Sequence, residues 1–323
     1  MKKKLLYCFI ALISLFLLFL FCLYNEYKRF YNHLNDYAGQ NSIHLVFAGD
    51  DGYITPLLTA FTSLSLNTKT PIQIHLLTAG FSNQNQQLIQ KLDQELKNIQ
   101  IDITPVSKEL FNNFPINQRW TQSIYYRYLI PELIKDTDRT LYLDGDILVF
   151  DDLSNFYQTD LKEKTIAGVS DYFEQKFHSR PLFQDLLVYI NSGVLLIEMS
   201  KWRQKGITQK LFETTQLYQD QISYFDQDVI NLVFKEDILP VSLKYNALQG
   251  AYTPFNKVIY HYSGKQKPWK TNSIDYYEWD KYFSYTQALL NKEKWPLRAY
   301  LIYCLKKMIY YPSFVFKSTI TEA

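Results

Sequence analysis

The sequence predicts an α/β fold built on a mostly parallel central sheet. Two observations predict it. Between residues 43 and 106, short apolar runs of strand-like composition alternate with stretches of helical apolar spacing, in the order βαβαβ, and that alternation calls for a parallel sheet covered by helices. Further along, polar clusters cut apolar runs short, as at Asp144-Gly145-Asp146. Open α/β sheets bind ligands where their strands end.

The chain opens with a basic N-terminus (residues 1–4) and an apolar run (residues 5–24) broken only by Ser14 and two cysteines. That length spans a bilayer as a helix. Asn25, Glu26, Lys28 and Arg29 follow in place of a small-residue cleavage pattern, so the run reads as an uncleaved, single-pass transmembrane helix. Lys2, Lys3 and Lys4 face Lys28 and Arg29 across it, and the count leans slightly towards a cytoplasmic N-terminus. The lean is too small to set the topology, and the globular part would instead be cytoplasmic if the chain is bacterial and draws on a cytosolic ligand. Residues 25–41 read as a stem.

The globular part begins at Ser42. Residues 43–48 read as a buried strand, ended sharply by Gly49-Asp50-Asp51-Gly52-Tyr53. Residues 55–66 have helical spacing, with Thr55 as N-cap and Pro56 at the first helical position. A strand at 72–77 precedes a helix capped by Ser82 or Asn83, whose apolar face carries Leu88, Leu92 and Leu96. Residues 99–106 form the third strand. A helix at 123–134, strands at 166–169 and within 187–199, an amphipathic helix at 201–218, a helix opened by Asp226-Gln227-Asp228, a short strand at 238–240 and the run from Ile259 to Gly264 complete the domain at residue 270. Residues 271–323 form a C-terminal segment. Its basic, aromatic part (295–317) suits either a membrane surface or a helix packed on the domain.

Composition narrows the function. The chain has 323 residues, 47% hydrophobic and 20% charged, with a net charge of +2. A sizeable core is expected, and a dedicated nucleic-acid binder is not. Cys8, Cys22 and Cys304 leave the central span without cysteine, which excludes a disulfide framework, a cysteine-zinc site and a cysteine nucleophile there.

Asp144 and Asp146 lie at i and i+2 on an extended segment and so point to one side. Two hard oxygen donors side by side are part of a cage for a divalent cation. Gly145 lets the backbone bend and a bulky ligand approach. Taken alone, the three residues read more readily as an acidic turn between two strands.

Five clusters in order carry a resemblance: residues 48–53, Asp144-Gly145-Asp146, Asn191-Ser192-Gly193, Asp226-Gln227-Asp228, and His261-Tyr262-Ser263-Gly264 with Lys267. Over residues 43–269 the chain resembles family 8 retaining glycosyltransferases, the group that includes lipopolysaccharide α-galactosyl- and α-glucosyltransferases and glycogenin. The resemblance implies a single GT-A domain (residues 42–270) that binds a UDP-hexose with Mn²⁺, or alternatively Mg²⁺, and passes galactose or glucose to a saccharide or glycolipid acceptor such as lipopolysaccharide. It implies Asp144, Asp146 and His261 as metal ligands. It implies Ala48, Asp50 and Tyr53 at the nucleoside, Gly264 and Lys267 at the diphosphate, Asp144 and Gly145 also among the donor-binding residues, and Arg127, Asp171, Asn191 and Asp226 around the donor sugar. Gln227, with the carboxylate of Asp228 beside it, is implied near the anomeric carbon. An amide is a poor nucleophile, which favours front-side displacement with Gln227 as positioner.

Gly52 stands where the galactosyltransferases commonly carry asparagine, and Gly145 where a threonine is frequent, so the donor sugar stays open. Taken singly, Asp50 and Asp51 read as a turn, Asn191 as the cap of a bend and His261 as a structural histidine. His33, His44, His75 and His178 match no cluster and read as structural. Two other classes compete. A nucleotidyltransferase also uses paired aspartates, but needs a glycine-rich, basic loop after the first strand, where this chain has Asp50-Asp51. A non-catalytic nucleotide-sugar binder would not need Asp144, Asp146, His261 and Lys267 together.

Overall fold

The computed structural model describes residues 2–32, 42–117, 120–174, 176–270 and 276–292, together with 301 and 304. In chain order the elements are α1 (Lys2–Asn32), β1 (Ile43–Ala48), α2 (Ile54–Asn67), β2 (Ile72–Thr78), α3 (Asn83–Glu95), β3 (Ile99–Pro105), α4 (Ile130–Leu133), β4 (Arg139–Leu143), β5 (Ile147–Val149), α5 (Ser154–Tyr157), β6 (Ile166–Ser170), β7 (Ile190–Glu198), α6 (Met199–Gln204), α7 (Ile207–Tyr218), α8 (Asp226–Phe234), β8 (Ile238–Pro240), β9 (Ala247–Leu248), β10 (Ile259–His261) and α9 (Tyr277–Leu290).

Among the described residues a seven-stranded sheet runs β3-β2-β1-β4-β7-β6-β8, and a three-stranded sheet runs β5-β10-β9. The large sheet is mostly parallel, as expected. Only β7 runs against its neighbours, pairing antiparallel with β4 and β6. Its first residues therefore lie beside the end of β4: Leu143 faces Val194, and the Asp144 N–H donates to the Gly193 carbonyl at 2.8 Å. That reversal brings Asn191-Ser192-Gly193 to Asp144-Gly145-Asp146.

One face of the sheet packs Leu45, Phe47 and Leu141 against Leu57, Phe61 and Leu64 of α2 and Trp279, Tyr282 and Tyr285 of α9. The other packs Val46, Tyr142 and Leu195 against Tyr128, Trp202, Leu211 and Ile230. Each fully buried aliphatic or aromatic side chain contributes about 1.5–3 kcal/mol. The middle strands read as continuous apolar runs because both their faces are covered.

Most elements fall where the periodicity puts them, with three differences. Helix α2 starts at Ile54, and its N-cap is Tyr53 without a side-chain bond. Thr55 lies inside that helix, its carbonyl accepting from Thr59 Oγ1 at 2.8 Å. The helix expected at 201–218 is two helices, because Gly206 takes the left-handed conformation (φ 61°) between α6 and α7. The helix expected at 123–134 is a 3-10 segment from Gln122 to Leu129 followed by the short α4. Ser82 caps α3 as expected, accepting from the Asn85 N–H.

The expected transmembrane anchor is corrected. The apolar run is helical, but among the described residues no helix is long and apolar enough to cross a membrane. Helix α1 does not end with the apolar residues. It begins at Lys2 and continues through Glu26, Lys28 and Arg29 to Asn32, so charged residues belong to both ends of the same rod. The single-pass membrane localisation falls with the anchor. Residues 25–32, expected as stem, belong to α1; residues 33–41, and the 295–317 segment apart from 301 and 304, lie outside the described residues.

Candidate active site

Asp144 and Asp146 follow β4 and precede β5, in the loop that joins the two sheets. His261 ends β10 and pairs with Ile147 of β5. The Asp146 carbonyl accepts from the Tyr262 N–H at 2.9 Å, which locks the two segments together. His261 Nε2 lies 3.1 Å from Asp146 Oδ1 and 3.6 Å from Asp144 Oδ2. The three donor groups lie within 4.8 Å of one another.

The other atoms of these side chains are already engaged. Asp144 Oδ1 accepts from Arg127 Nη2 at 2.9 Å and the Tyr142 hydroxyl at 2.8 Å. Asp146 Oδ2 accepts from Lys267 Nζ at 2.6 Å. His261 Nδ1 faces Asn246 Oδ1 at 3.0 Å; a carbonyl oxygen only accepts, so Nδ1 donates to it, and Nε2 is the ring atom turned to the two carboxylates. Two carboxylate oxygens and one imidazole nitrogen thus converge, each oriented by a second partner. This donor set could hold a divalent cation. Burial opposes the charge of Asp146, but Lys267 and His261 outweigh it and hold that carboxyl well below the usual range.

Arg127 bolts the floor. It is 3% exposed, lies 4.3 Å from the Tyr142 ring centroid, donates through Nη1 to the Ser192 carbonyl at 2.7 Å, and sits 3.2 Å from Asp226 Oδ2. Burial raises the Asp226 pKa to about 6, with Arg127 opposing and Asp144 assisting. Beside it, Gln227 Nε2 donates to Asp171 Oδ2 at 3.1 Å, and Gln227 Oε1 accepts from Asn191 Nδ2 at 3.0 Å and the Ser192 N–H at 3.2 Å. Asn191 Nδ2 also donates to Asp171 Oδ2 at 3.0 Å. Phe225, just before α8, has φ 44°. Such backbone in a non-glycine residue costs about 1–3 kcal/mol and clusters at functional sites.

Asp228 differs from its neighbours. It is fully buried and turned away from them, against Arg180 and the Tyr189 hydroxyl, with Oδ2 also accepting from the backbone N–H groups of Ser223 and Tyr224. Asp50 takes the Gly52 N–H on Oδ1 and the Thr121 hydroxyl on Oδ2, each at 3.0 Å. Asp51 turns instead to α3, accepting from Ser82 N at 2.9 Å and Asn85 Nδ2 at 2.7 Å. Tyr53 meets Trp269 edge to face at 5.8 Å. Ala48, half-buried, ends β1. A Cβ on Gly145 would come within 3.0 Å of Leu57 and 3.3 Å of Tyr53, so this glycine seats its loop tightly on α2 rather than loosening it. A Cβ on Gly264 would meet Gln249 Oε1 at 2.7 Å, an oxygen buried without a partner.

Two site residues were missed. Asn246 lies in an irregular stretch with no motif around it; only the fold brings it to His261 and Asn191. Gly193 belonged to a noted cluster, but its role was not legible. A Cβ there would come within 2.3 Å of His261 Cε1 and 2.6 Å of Asp144 Oδ2.

The pattern of glycosyl transferase family 8 matches residues 44–273. The chain belongs to that family. General stress protein A of Bacillus subtilis is 26% identical over 75% of this chain and 92% of its own length. The lipopolysaccharide 1,2-glucosyltransferase of Escherichia coli is 26% identical over 73% of this chain and 76% of its own. Against the longer GlyA of Streptococcus pneumoniae, the match spans 41% of that protein. The crystal structure of the galactosyltransferase LgtC in complex with donor and acceptor sugar analogues superposes with a TM-score of 0.68 at 28% identity, covering 76% of this chain and 96% of LgtC. As a family 8 member the chain is a glycosyltransferase on a GT-A-like fold. Among the residues that carried the resemblance, Asp144, Asp146, His261 and Lys267 lie together and Arg127 joins them to Ser192 and Asp226, while the side chains of Asp51 and Asp228 turn elsewhere.

Proposed function

We propose that this glycosyltransferase moves galactose or glucose from a UDP-sugar to a saccharide acceptor, with retention of configuration and assisted by Mn²⁺. The convergence of Asp144 Oδ2, Asp146 Oδ1 and His261 Nε2 beside Lys267 carries the reading. These residues would hold the cation. When bound, it would neutralise charge developing on the leaving diphosphate. Lys267 adds a fixed positive charge on the same side, placed by its bonds to Asp146 and the Tyr262 carbonyl. Tyr53 offers a ring to uracil, and Asp50 an acceptor for ribose.

Asp171, Asn191, Asp226 and Gln227 form a rigid polar wall for the sugar hydroxyls. Gln227 is fixed through both its amide atoms, which suits a group that positions and stabilises an oxocarbenium-like state. The bonds that hold Asp228 disfavour it as a nucleophile and leave front-side displacement as the favoured course. A lipopolysaccharide or other cell-surface glycan is the favoured acceptor, by likeness to the Escherichia coli glucosyltransferase. The test is release of UDP from UDP-galactose, UDP-glucose and UDP-N-acetylglucosamine, with and without Mn²⁺. Metal-dependent release from a hexose donor, lost in Asp146→Asn, is expected; release indifferent to both would overturn the reading.

A further inference from the structure

We propose a second cation site, formed by His44, His75 and Asp136, for a late first-row divalent metal of the zinc class. His44 is the second residue of β1, at the opposite end of that strand from Asp50. His75 lies on β2, where it pairs with Val46. Because His44 and Val46 are two residues apart, the two imidazoles project from the same face of the sheet. Asp136 lies in the segment between α4 and β4, which crosses this face. His44 Nδ1 and His75 Nε2 approach to 3.0 Å, and Asp136 Oδ2 stands 3.7 Å from the first and 4.0 Å from the second.

Metal–nitrogen bonds of about 2.0–2.1 Å set neighbouring ligand atoms roughly 3–3.4 Å apart. The histidine pair already meets that spacing, and Asp136, with a side chain 57% exposed, is free to close the remainder. Two imidazoles and one carboxylate form a set that favours zinc-class cations over calcium or magnesium. The Asp102 carboxylate faces His75 in the β2–β3 register and adds negative potential. The cation would tie β1, β2 and the approach to β4 together, behind the strand ends that carry Asp50 and Asp144. A simple imidazole–imidazole hydrogen bond is the competing account.

The two accounts differ in metal stoichiometry. In full-length Asp144→Asn/Asp146→Asn protein, where the donor-site ligands are disabled, Co²⁺ should still bind one equivalent with visible absorption, and Zn²⁺ should raise the melting temperature. Adding the exposed-site change Asp136→Asn, or separately His75→Gln, should weaken Zn²⁺ binding at least about tenfold. Asp136→Asn alone should leave any Mn²⁺-dependent UDP release unchanged. Absence of Co²⁺ and Zn²⁺ binding in the folded double variant, or binding untouched by both added substitutions, would overturn the proposal. The titration needs no turnover, so it stands apart from the outcome of the transferase assay.

Discussion

The Nδ1 proton of His261 is held by Asn246 Oδ1 at 3.0 Å, and the Asn246 amide donates in turn to Asn191 Oδ1 at 2.9 Å. One side chain thus sets the tautomer of the imidazole and joins it to the sugar-facing wall. Replacing Asn246 by Leu should weaken Mn²⁺ activation about 10- to 100-fold, with much of the rate returning at high Mn²⁺. A titration of UDP release against Mn²⁺ reads this directly. An unchanged activation constant would mean that the ring is oriented without Asn246.

Gly193 should tolerate no side chain. In Gly193→Ala the new methyl would displace His261 or Asp144, since both lie closer than a Cβ contact permits. Turnover should fall by an order of magnitude or more even at saturating Mn²⁺, while the circular-dichroism spectrum stays native. Near-normal kcat would show that the β7 backbone yields at little cost.

Asp228 is fully buried against the partly buried Arg180, and the pair is expected to act structurally. Removing one partner of such a pair costs about 3–5 kcal/mol. Arg180→Met should therefore lower the denaturation midpoint strongly, and Asp228→Asn should do likewise, its kcat falling no more than its stability explains. Abolished turnover at unchanged stability in Asp228→Asn would instead make this carboxylate a reacting group.

The Asp226 carboxyl gives the metal-free protein a distinctive pH response. Its folded pKa is about 6 against a reference of 3.8. The folded chain therefore keeps a proton that the unfolded chain releases. Stability from this group is complete below the lower value and is lost as pH rises through the upper one. Asp226→Asn should flatten that decline, as denaturation midpoints at about pH 4.5 and about pH 7 would show. A decline of equal size in the variant would assign it to other groups.

What the sequence made legible follows from range. The strands of the large sheet and the cap of α3 are local matters of periodicity and short side-chain bonds, and they fall where expected. The polar clusters were legible because each interrupts an apolar run. Asn246 was not, because its partners lie 15 and 55 residues away with no local pattern to announce them. The break at Gly206 was hidden because apolar residues recur at near-helical spacing on both sides of it. For residues 5–24, apolarity suggested a membrane span, yet helix α1 runs past that run into charged residues at both ends.

The loop between β4 and β5 has a consequence for how the protein is made. Lys267 and Asp146 are 121 positions apart and meet at 2.6 Å. A chain emerging from the ribosome can form β1 to β4 early, from neighbouring segments, but the cation pocket closes only when β10 arrives. Contacts of such separation form late and slowly. Until then the aspartates face each other without their imidazole and lysine, so a chain cut short before residue 261 would carry most of the sheet without the far half of the candidate site.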